Sequence, residues 1–255
     1  QRRKKEIITE FADYRKGQLK DGRFSLFHSS AWFLDEKSVR MKDGTVIRAD
    51  KFIISTGSKI SMPPVLGLDQ VSFKTSDDVL DLSEIPEEVV VLGGGIVACE
   101  LSQFLHRIGC SVTILQRNKN ILKGFPEKAS TCVLHKFREE GMIVKTGSSI
   151  ERLEQTNDTT IRVDYLHDEE KKSIETKFLF HALGRTPATD RLNLSEIGVR
   201  IKKSGHIQTN AFQQTSVPHI YAAGDCAGPH EIVHIAIRQG ETAANHALGK
   251  ATEPI

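Results

Sequence analysis

The sequence predicts an α/β protein built around a doubly wound parallel sheet, and three observations lead to this fold class. Strand patterns alternate with helical patterns between residues 86 and 185, the order typical of such sheets. One of these strands, residues 89–92, runs directly into a glycine-rich turn and then into a helix. With 255 residues, of which 38% are hydrophobic, the chain can bury one large core or two smaller ones.

The N-terminal elements are predicted from local patterns. Residues 1–20 have the periodicity of an amphipathic helix, and short β-rich runs follow over residues 23–56. The dipeptides Asp21-Gly22 and Asp43-Gly44 are typical hairpin signals, and residues 51–57 are expected to form a buried strand.

The later elements follow from the same patterns. A group of short strands inserted into the doubly wound unit is expected over residues 150–178, and a closing strand over residues 178–184. A further strand is predicted at residues 219–223 and a helix at residues 232–248.

The glycine-rich turn predicts a Rossmann-like dinucleotide site. Gly93 allows the backbone to bend sharply, and Gly95 lets a pyrophosphate approach the main chain without meeting a Cβ atom. Ala98 lets the following helix pack closely against the strand. The phosphates would then lie at the helix N-terminus, where free N–H groups and the helix dipole stabilise negative charge.

The end of the next strand, residues 111–117, favours NADPH over NADH. An NAD site usually has an acidic residue there, which binds the ribose 2′-hydroxyl and repels a 2′-phosphate. This chain has Gln116 followed by Arg117, and Lys123 comes one short loop later, so two cations could flank a 2′-phosphate. The alternative is that Arg117 and Lys123 are ordinary solvated loop charges.

Composition argues against several other classes of protein. The 35 basic and 33 acidic side chains leave a formal charge of +2, too little for a broad field that attracts nucleic acid or membrane lipid. No stretch is apolar and long enough to span a bilayer, and no secretory signal is visible. The four cysteines lack CxxC, CxxxxC or metal-ligand spacing, so we expect reduced cytoplasmic thiols and no metal site. Two of them, Cys110 and Cys132, lie in apolar surroundings and are expected to be buried.

Four motifs in order give the chain a resemblance to a known family. They are Phe52–Ser58 with the sequence FIISTGS, the turn at Gly93, Ala182–Pro187 with the sequence ALGRTP, and Thr215–Asp225 with the sequence TSVPHIYAAGD. The chain resembles the flavin-dependent pyridine nucleotide–disulfide oxidoreductases, which include glutathione reductase, dihydrolipoamide dehydrogenase and mercuric reductase. This resemblance implies a Rossmann-like NAD(P)-binding domain inserted in part of an FAD-binding domain.

The resemblance implies FAD contacts at five positions. Asp225 would accept a hydrogen bond from the ribityl chain, and the backbone of Val233 would touch the flavin. Ala31 matches the backbone position that binds the adenine, and Thr56 and Gly57 match the turn that passes close to the cofactor. For the last three residues, a plain turn or strand is the alternative.

The resemblance also extends the nicotinamide nucleotide site. NADPH would bind across Gly93, Gly94, Gly95, Ile96, Val97 and Ala98. Ile96 stands where some relatives have a gating tyrosine, and Glu100 matches an acid that pairs with a lysine near the flavin, with a surface position as the alternative. Gly184, Arg185 and Ile150 match positions that line the nucleotide, although Ile150 could equally be a core residue.

The resemblance divides the chain into parts. We expect residues 1–62 and 186–255 to be two portions of an FAD-binding domain, 63–85 a linker, and 86–185 the NAD(P)-binding domain. The family's N-terminal FAD motif, its CxxxxC redox pair and its C-terminal interface domain have no match in this sequence. We therefore expect a fragment that holds no catalytic residue of its own and shows no turnover alone, from a parent that is cytoplasmic and homodimeric.

The resulting hypothesis is an FAD-dependent oxidoreductase that passes hydride from NADPH to the flavin and on to a small-molecule or protein disulfide. Two alternatives stay open at this stage. The flavin could instead reduce oxygen or a quinone, or the chain could be a nucleotide-binding module without turnover.

Overall fold

The computed structural model describes residues 1–255, which form two compact units. The first consists of Gln1–Ala12 and Ser61–Gly184, and the second of Asp13–Ile60 and Arg185–Ile255. The helices are α1 Arg2–Leu19, α2 Ser76–Leu80, α3 Ile96–Arg107, α4 Glu127–Glu139 and α5 Val233–Ala247. The strands are β1 Ala31–Asp35, β2 Ser38–Met41, β3 Val46–Arg48, β4 Phe52–Ile54, β5 Ser58–Ile60, β6 Glu88–Leu92, β7 Ser111–Gln116, β8 Ile143–Thr146, β9 Ser149–Gln155, β10 Ile161–His167, β11 Glu170–Thr176, β12 Leu179–His181, β13 Arg185–Pro187 and β14 Ile220–Ala222.

The first unit is built on a four-stranded parallel sheet with the order β12-β6-β7-β8. Val91, Ile114 and Phe180 are fully buried in its core, as expected for strands covered on both faces. Helix α3 packs on β6 and β7, and α4 packs on β8. The predicted α/β class and the alternation of strands and helices are confirmed.

An antiparallel sheet with the order β9-β10-β11 is inserted between β8 and β12. Its Leu153 and Val163 share a core with Val90 and Leu115 of the parallel sheet. The group of short strands expected between residues 150 and 178 is therefore confirmed.

Residues 63–85, which we expected to be a linker, are packed into the first unit. They contain the short 3-10 turn Leu68–Gln70 and helix α2, and Val79 is almost fully buried. Gly67 lies so close to β9 that an added Cβ would be 2.0 Å from the carbonyl oxygen of Leu153. The glycines and prolines here mark turns within a packed segment rather than an open connection.

The second unit contains three small sheets. Strands β1, β2 and β3 form an antiparallel meander, β4 pairs in parallel with β14, and β5 pairs antiparallel with β13. Phe33, Ile54, Ile220 and Cys226 share its core. Helix α5 packs on β14 and β4 and completes a strand–helix arrangement around their carboxyl ends.

Three local expectations were tested in this region of the chain. The Asp43-Gly44 hairpin between β2 and β3 is confirmed, and Gly44 has φ +90°. The Asp21-Gly22 hairpin was wrong, because the Asp21 carboxylate accepts hydrogen bonds from the main-chain and side-chain nitrogens of Arg23 and no strand begins before Ala31. The strand expected at 51–57 is only β4, which has a single strand partner and one exposed residue, Ile53.

The amphipathic helix expected at the N-terminus is α1, and none of its residues is buried. No helix in the structure combines the length and the apolar character that a bilayer span requires. Cys99, Cys110 and Cys226 are buried, whereas Cys132 is exposed on α4. The expectation of a buried Cys132 was wrong, because the side of α4 that is buried carries Leu134 and Phe137 and does not include Cys132.

Candidate functional site

A cavity of about 450 Å³ lies in the first unit at the carboxyl ends of β6 and β7. Open parallel sheets usually bind ligands at this edge. The cavity brings together seven of the predicted nucleotide residues, namely Gly93, Gly94, Gly95, Arg117, Lys123, Ile150 and Gly184. It also contains Gln116, which the sequence analysis used as the residue standing in place of an acid. It is completed by residues that the sequence reasoning did not single out for this site, namely Pro63, Pro64, Val65, Leu115, Asn118, Ser148, Ser149, Ala182 and Leu183.

Two glycines of the turn are required for different reasons. Gly93 has φ +107°, and an added Cβ would lie 2.4 Å from the carbonyl oxygen of Ala182, so the backbone just after β12 leaves no room for a side chain. Gly95 is the N-cap of α3 with φ −78°, and an added Cβ would meet no atom within 4 Å. The space beside Gly95 is therefore open, as the close approach of a ligand requires.

Gly94 gives space to a neighbouring side chain. An added Cβ would lie 3.0 Å from both Cγ of Gln116 and Cγ2 of Ile121. The Gln116 side chain is almost fully buried, and its Nε2 donates to the carbonyl oxygen of Asn120 at 3.2 Å. Gln116 therefore does not stand free at the end of β7 but is bonded to the loop that follows.

The two predicted 2′-phosphate residues lie on this loop and both line the cavity. Neither Arg117 nor Lys123 forms an ion pair in the structure. The cavity lining contains no aspartate or glutamate. The two cations therefore meet no acidic neutralising partner on the cavity wall.

The remaining predicted residues of α3 do not line the cavity. Ala98 is fully buried where the helix packs on the sheet, while Ile96, Val97 and Glu100 are exposed, and Glu100 has no ion-pair partner. Burial, together with the nearby Glu100 charge, raises the pKa of the Cys99 thiol to about 12. Cys99 is consequently protonated at neutral pH and is not a reactive thiolate.

His181, at the end of β12, is a buried polar residue that the sequence reasoning missed. Its Nε2 lies 2.8 Å from the carbonyl oxygen of Ser61, so Nε2 carries the proton and donates it. Nδ1 is buried without a hydrogen-bond partner, and burial lowers the pKa of the ring. A histidine in an apolar strand gives no sequence signal for the contact that it makes 120 residues away.

Arg185, predicted to line the nucleotide, belongs to the second unit, where its guanidinium is bonded to Ser58. Nε donates to Oγ of Ser58 at 2.7 Å, and Nη2 donates to the carbonyl oxygen of Ser58 at 2.9 Å. The Ser58 hydroxyl in turn donates to Oδ2 of Asp225 at 2.6 Å. The three residues form a hydrogen-bonded chain that ends on the predicted ribityl carboxylate.

The predicted flavin residues Thr56, Gly57 and Asp225 lie just beyond the paired carboxyl ends of β4 and β14. The loop that carries Asp225 is braced by the buried Gln239, whose side chain accepts from the Gly224 N–H and donates to the Gly228 carbonyl. Val233 begins α5, which packs on these two strands. Ala31 lies instead at the start of β1 on the three-stranded sheet.

The acceptor at Asp225 and the open main chain at Gly57 fit the polar chain of a dinucleotide cofactor such as FAD. Only one oxygen of the Asp225 carboxylate is bonded to Ser58, which leaves the other as an acceptor for a ligand hydroxyl. Gly57 has φ +69° and no atom within 4 Å of an added Cβ, so the main chain is open to close approach.

Comparison with known proteins shows the family to which the chain is similar. A sequence model of the family described as pyridine nucleotide-disulphide oxidoreductase matches residues 3–240. The chain is 34% identical over 232 residues to a mercuric reductase of Staphylococcus aureus, covering 91% of the chain and 42% of that protein. It is 32% identical over 253 residues to a dihydrolipoyl dehydrogenase of Bacillus subtilis, covering 98% of the chain and 54% of that protein.

The fold also resembles a solved structure, the HOCl-induced flavoprotein disulfide reductase RclA from Escherichia coli. The TM-score is 0.87 at 22% sequence identity, over 99% of this chain and 57% of the other. At that identity the likeness shows the fold alone. The chain spans about half the length of the curated relatives that it matches.

Proposed function

The chain belongs to the pyridine nucleotide-disulphide oxidoreductase family, and from this premise we propose that it binds NADPH at the turn Gly93–Gly95. In the whole protein, hydride would pass from NADPH to FAD and then to a disulfide or a related acceptor. The family match and the names of the relatives, mercuric reductase and dihydrolipoyl dehydrogenase, support a redox enzyme of this kind.

The observation that carries the NADPH proposal is the cavity wall formed by Arg117 and Lys123 without any acidic residue. A 2′-phosphate held there would accept charge-assisted hydrogen bonds, whereas a ribose 2′-hydroxyl would meet no carboxylate. Such bonds contribute about 1.5–3 kcal/mol each, so the loss of one cation costs roughly tenfold or more in affinity.

The turn Gly93–Gly95 also supports the proposed pyrophosphate site. The first N–H groups of a helix have no partners within it, and the space beside Gly95, the N-cap of α3, is open. An anion in this space is stabilised by those donors and by the helix dipole.

On the second unit, the proposed cofactor is FAD. When bound, FAD supplies the two-electron carrier between a nicotinamide and a disulfide. Asp225 would accept a hydrogen bond from the ribityl chain, and the N-terminus of α5 at Val233 would favour negative charge nearby. Thr56 and Gly57 would allow close main-chain approach, and Ala31 would meet the adenine.

The NADPH proposal is tested by calorimetric titration with 2′,5′-ADP and with 5′-AMP, which differ only in the 2′-phosphate. We expect the unmodified chain to prefer 2′,5′-ADP, and Arg117→Ala or Lys123→Ala to reduce that preference about tenfold. Lys128→Ala is the matched control, because Lys128 lies on α4 and outside the cavity. Equal affinity of the unmodified chain for the two ligands would contradict the proposal.

The flavin proposal is tested by the visible absorption spectrum of the natively purified protein, before and after incubation with FAD. A retained yellow chromophore that bleaches on addition of NADPH is the expected result. Retained flavin that NADPH does not bleach would contradict hydride transfer, and a protein that stays colourless would contradict flavin binding by this chain.

A further inference from the structure

We propose that Gln116 is a specificity-determining positioning residue, which holds the loop Arg117–Lys123 in the shape that presents its cations to a 2′-phosphate. This inference rests on the proposed NADPH site and adds a mechanism to it. Gln116 stands where an NAD site usually has an acidic residue, and its amide also holds the loop that carries the two cations. The bond from Nε2 of Gln116 to the carbonyl oxygen of Asn120 is the central observation.

The side chain of Gln116 is buried and closely packed. It is 7% exposed, and its Cγ packs where Gly94 lacks a Cβ atom, so any larger residue at 94 would push it away. The carbonyl oxygen of Asn120 can only accept a hydrogen bond, which requires the NH₂ end of the amide to face it. The orientation of this amide follows from its partner.

The rest of the loop is attached by its main chain at each end. The Leu122 N–H donates to the Gly94 carbonyl at 2.7 Å, and the Gly147 N–H donates to the Asn118 carbonyl at 3.0 Å. Ile121 is fully buried in the core of the parallel sheet. Between these attachments, Gln116 is the side chain that bonds to the main chain of the loop centre at Asn120.

One residue of the loop has a conformation that needs such support. Leu122 has φ +52°, a region that a branched apolar side chain adopts only when its surroundings require it. It directly precedes Lys123, so the direction of Lys123 depends on this conformation. A loop ordered before binding loses less conformational entropy when the nucleotide arrives, and this favours affinity.

A glutamate at position 116 could not replace this contact. Its carboxylate has no proton to donate at neutral pH, and two oxygens would face each other across the 3.2 Å that now separates Nε2 from the Asn120 carbonyl. The residue type at the end of β7 would thus act twice, once on the charge of the cavity and once on the shape of the loop.

The test separates these two effects with Gln116→Met, which keeps the length of the side chain and adds no charge. We expect its affinity for 2′,5′-ADP to fall about fivefold and its affinity for 5′-AMP to change less than twofold. This factor corresponds to about 1 kcal/mol, the ordinary contribution of one hydrogen bond. Amide hydrogen exchange of residues 118–123 should become faster in the same variant.

Gln155→Met is the matched control. Gln155 lies in the same unit, where its Nε2 donates to the carbonyl oxygens of Asn157 and Thr160 and its Oε1 accepts from the Ser72 N–H, so it braces segments outside the loop Arg117–Lys123. This variant should lose comparable local protection over residues 156–160 without changing the ratio of the two ligand affinities.

The outcomes separate this inference from the function on which it rests. If the unmodified chain does not distinguish 2′,5′-ADP from 5′-AMP, the proposed NADPH preference is wrong. If it distinguishes them and Gln116→Met does so equally well with unchanged exchange, the positioning role is wrong. Should the methionine variant not fold, Gln116→Glu is used, and unchanged exchange of residues 118–123 in that variant overturns the inference.

Discussion

Replacing Gly95 with alanine should weaken nucleotide binding while leaving the fold intact. Gly95 caps α3 with φ −78° and ψ −173°, a conformation open to any L-residue. An added Cβ meets no protein atom within 4 Å. The new methyl group would therefore occupy the space in which we expect the pyrophosphate to approach the main chain.

The size of the effect follows from this geometry. The free energy of unfolding should change by less than about 1 kcal/mol, because the lower entropy of the unfolded chain offsets the poorer N-cap. Losing one charge-assisted bond from a helix N–H to a phosphate costs about 1.5–3 kcal/mol, which is roughly 10- to 150-fold in affinity.

Calorimetric titration with NADPH measures the affinity, and urea unfolding measures the stability of the same variant. Gly93→Ala is the contrasting change, because its Cβ would lie 2.4 Å from the Ala182 carbonyl oxygen at a φ of +107°. We expect that variant to lose about 2–4 kcal/mol of stability. Gly95→Ala should therefore change affinity with little change in stability, whereas Gly93→Ala should lower stability.

Two results would refute this reasoning. NADPH binding by Gly95→Ala that equals the unmodified affinity would mean that the pyrophosphate does not approach this turn. A large loss of stability in Gly95→Ala would mean that the space beside Gly95 is not open.

Three further predictions concern stability. Gly67→Ala should destabilise the first unit by about 2–4 kcal/mol, measured by urea unfolding, because its Cβ would lie 2.0 Å from the Leu153 carbonyl oxygen; an unchanged urea midpoint would contradict it. Burial lowers the pKa of His181 below its usual 6.5. As the pH drops below 6.5, the unfolded chain therefore binds this proton more readily than the folded chain, and the free energy of unfolding should fall. His181→Leu should flatten this slope, and an identical slope would assign it to other groups. Hydrogen bonds from Arg107 lower the pKa of Glu140 to about 2, so its contribution to stability is complete above pH 4.5 and is lost as the pH falls through about 2; Glu140→Gln should make acid unfolding in a pH series less steep.

The parts of the fold that the sequence predicted depend on short-range signals. The strand, glycine turn and helix from β6 to α3 are determined by hydrophobic runs and by residues that permit one local backbone shape. The Asp43-Gly44 hairpin is confirmed for the same reason, since a two-strand turn is specified by a few adjacent residues. Asp21-Gly22 has the same composition but no strands beside it to join.

The misjudged parts depend on long-range packing. The prolines and glycines between residues 63 and 85 are common in open linkers, yet here their segment closes on β9, as the contact between Gly67 and Leu153 requires. Cys132 lies among apolar residues in sequence, but the rotation of α4 against the sheet leaves it exposed. Neither outcome is encoded in a window of a few residues.

The sequence by itself determined the fold class, the alternation of strands and helices in the parallel sheet, the position of the glycine-rich turn and the absence of an acid after β7. Only the tertiary structure decided that Gln116 bonds to Asn120, and that Arg185 reaches Asp225 through Ser58. The physical reason is that periodicity and turn propensity act through the local backbone, whereas a hydrogen bond needs a donor and an acceptor brought together by the folding of distant segments.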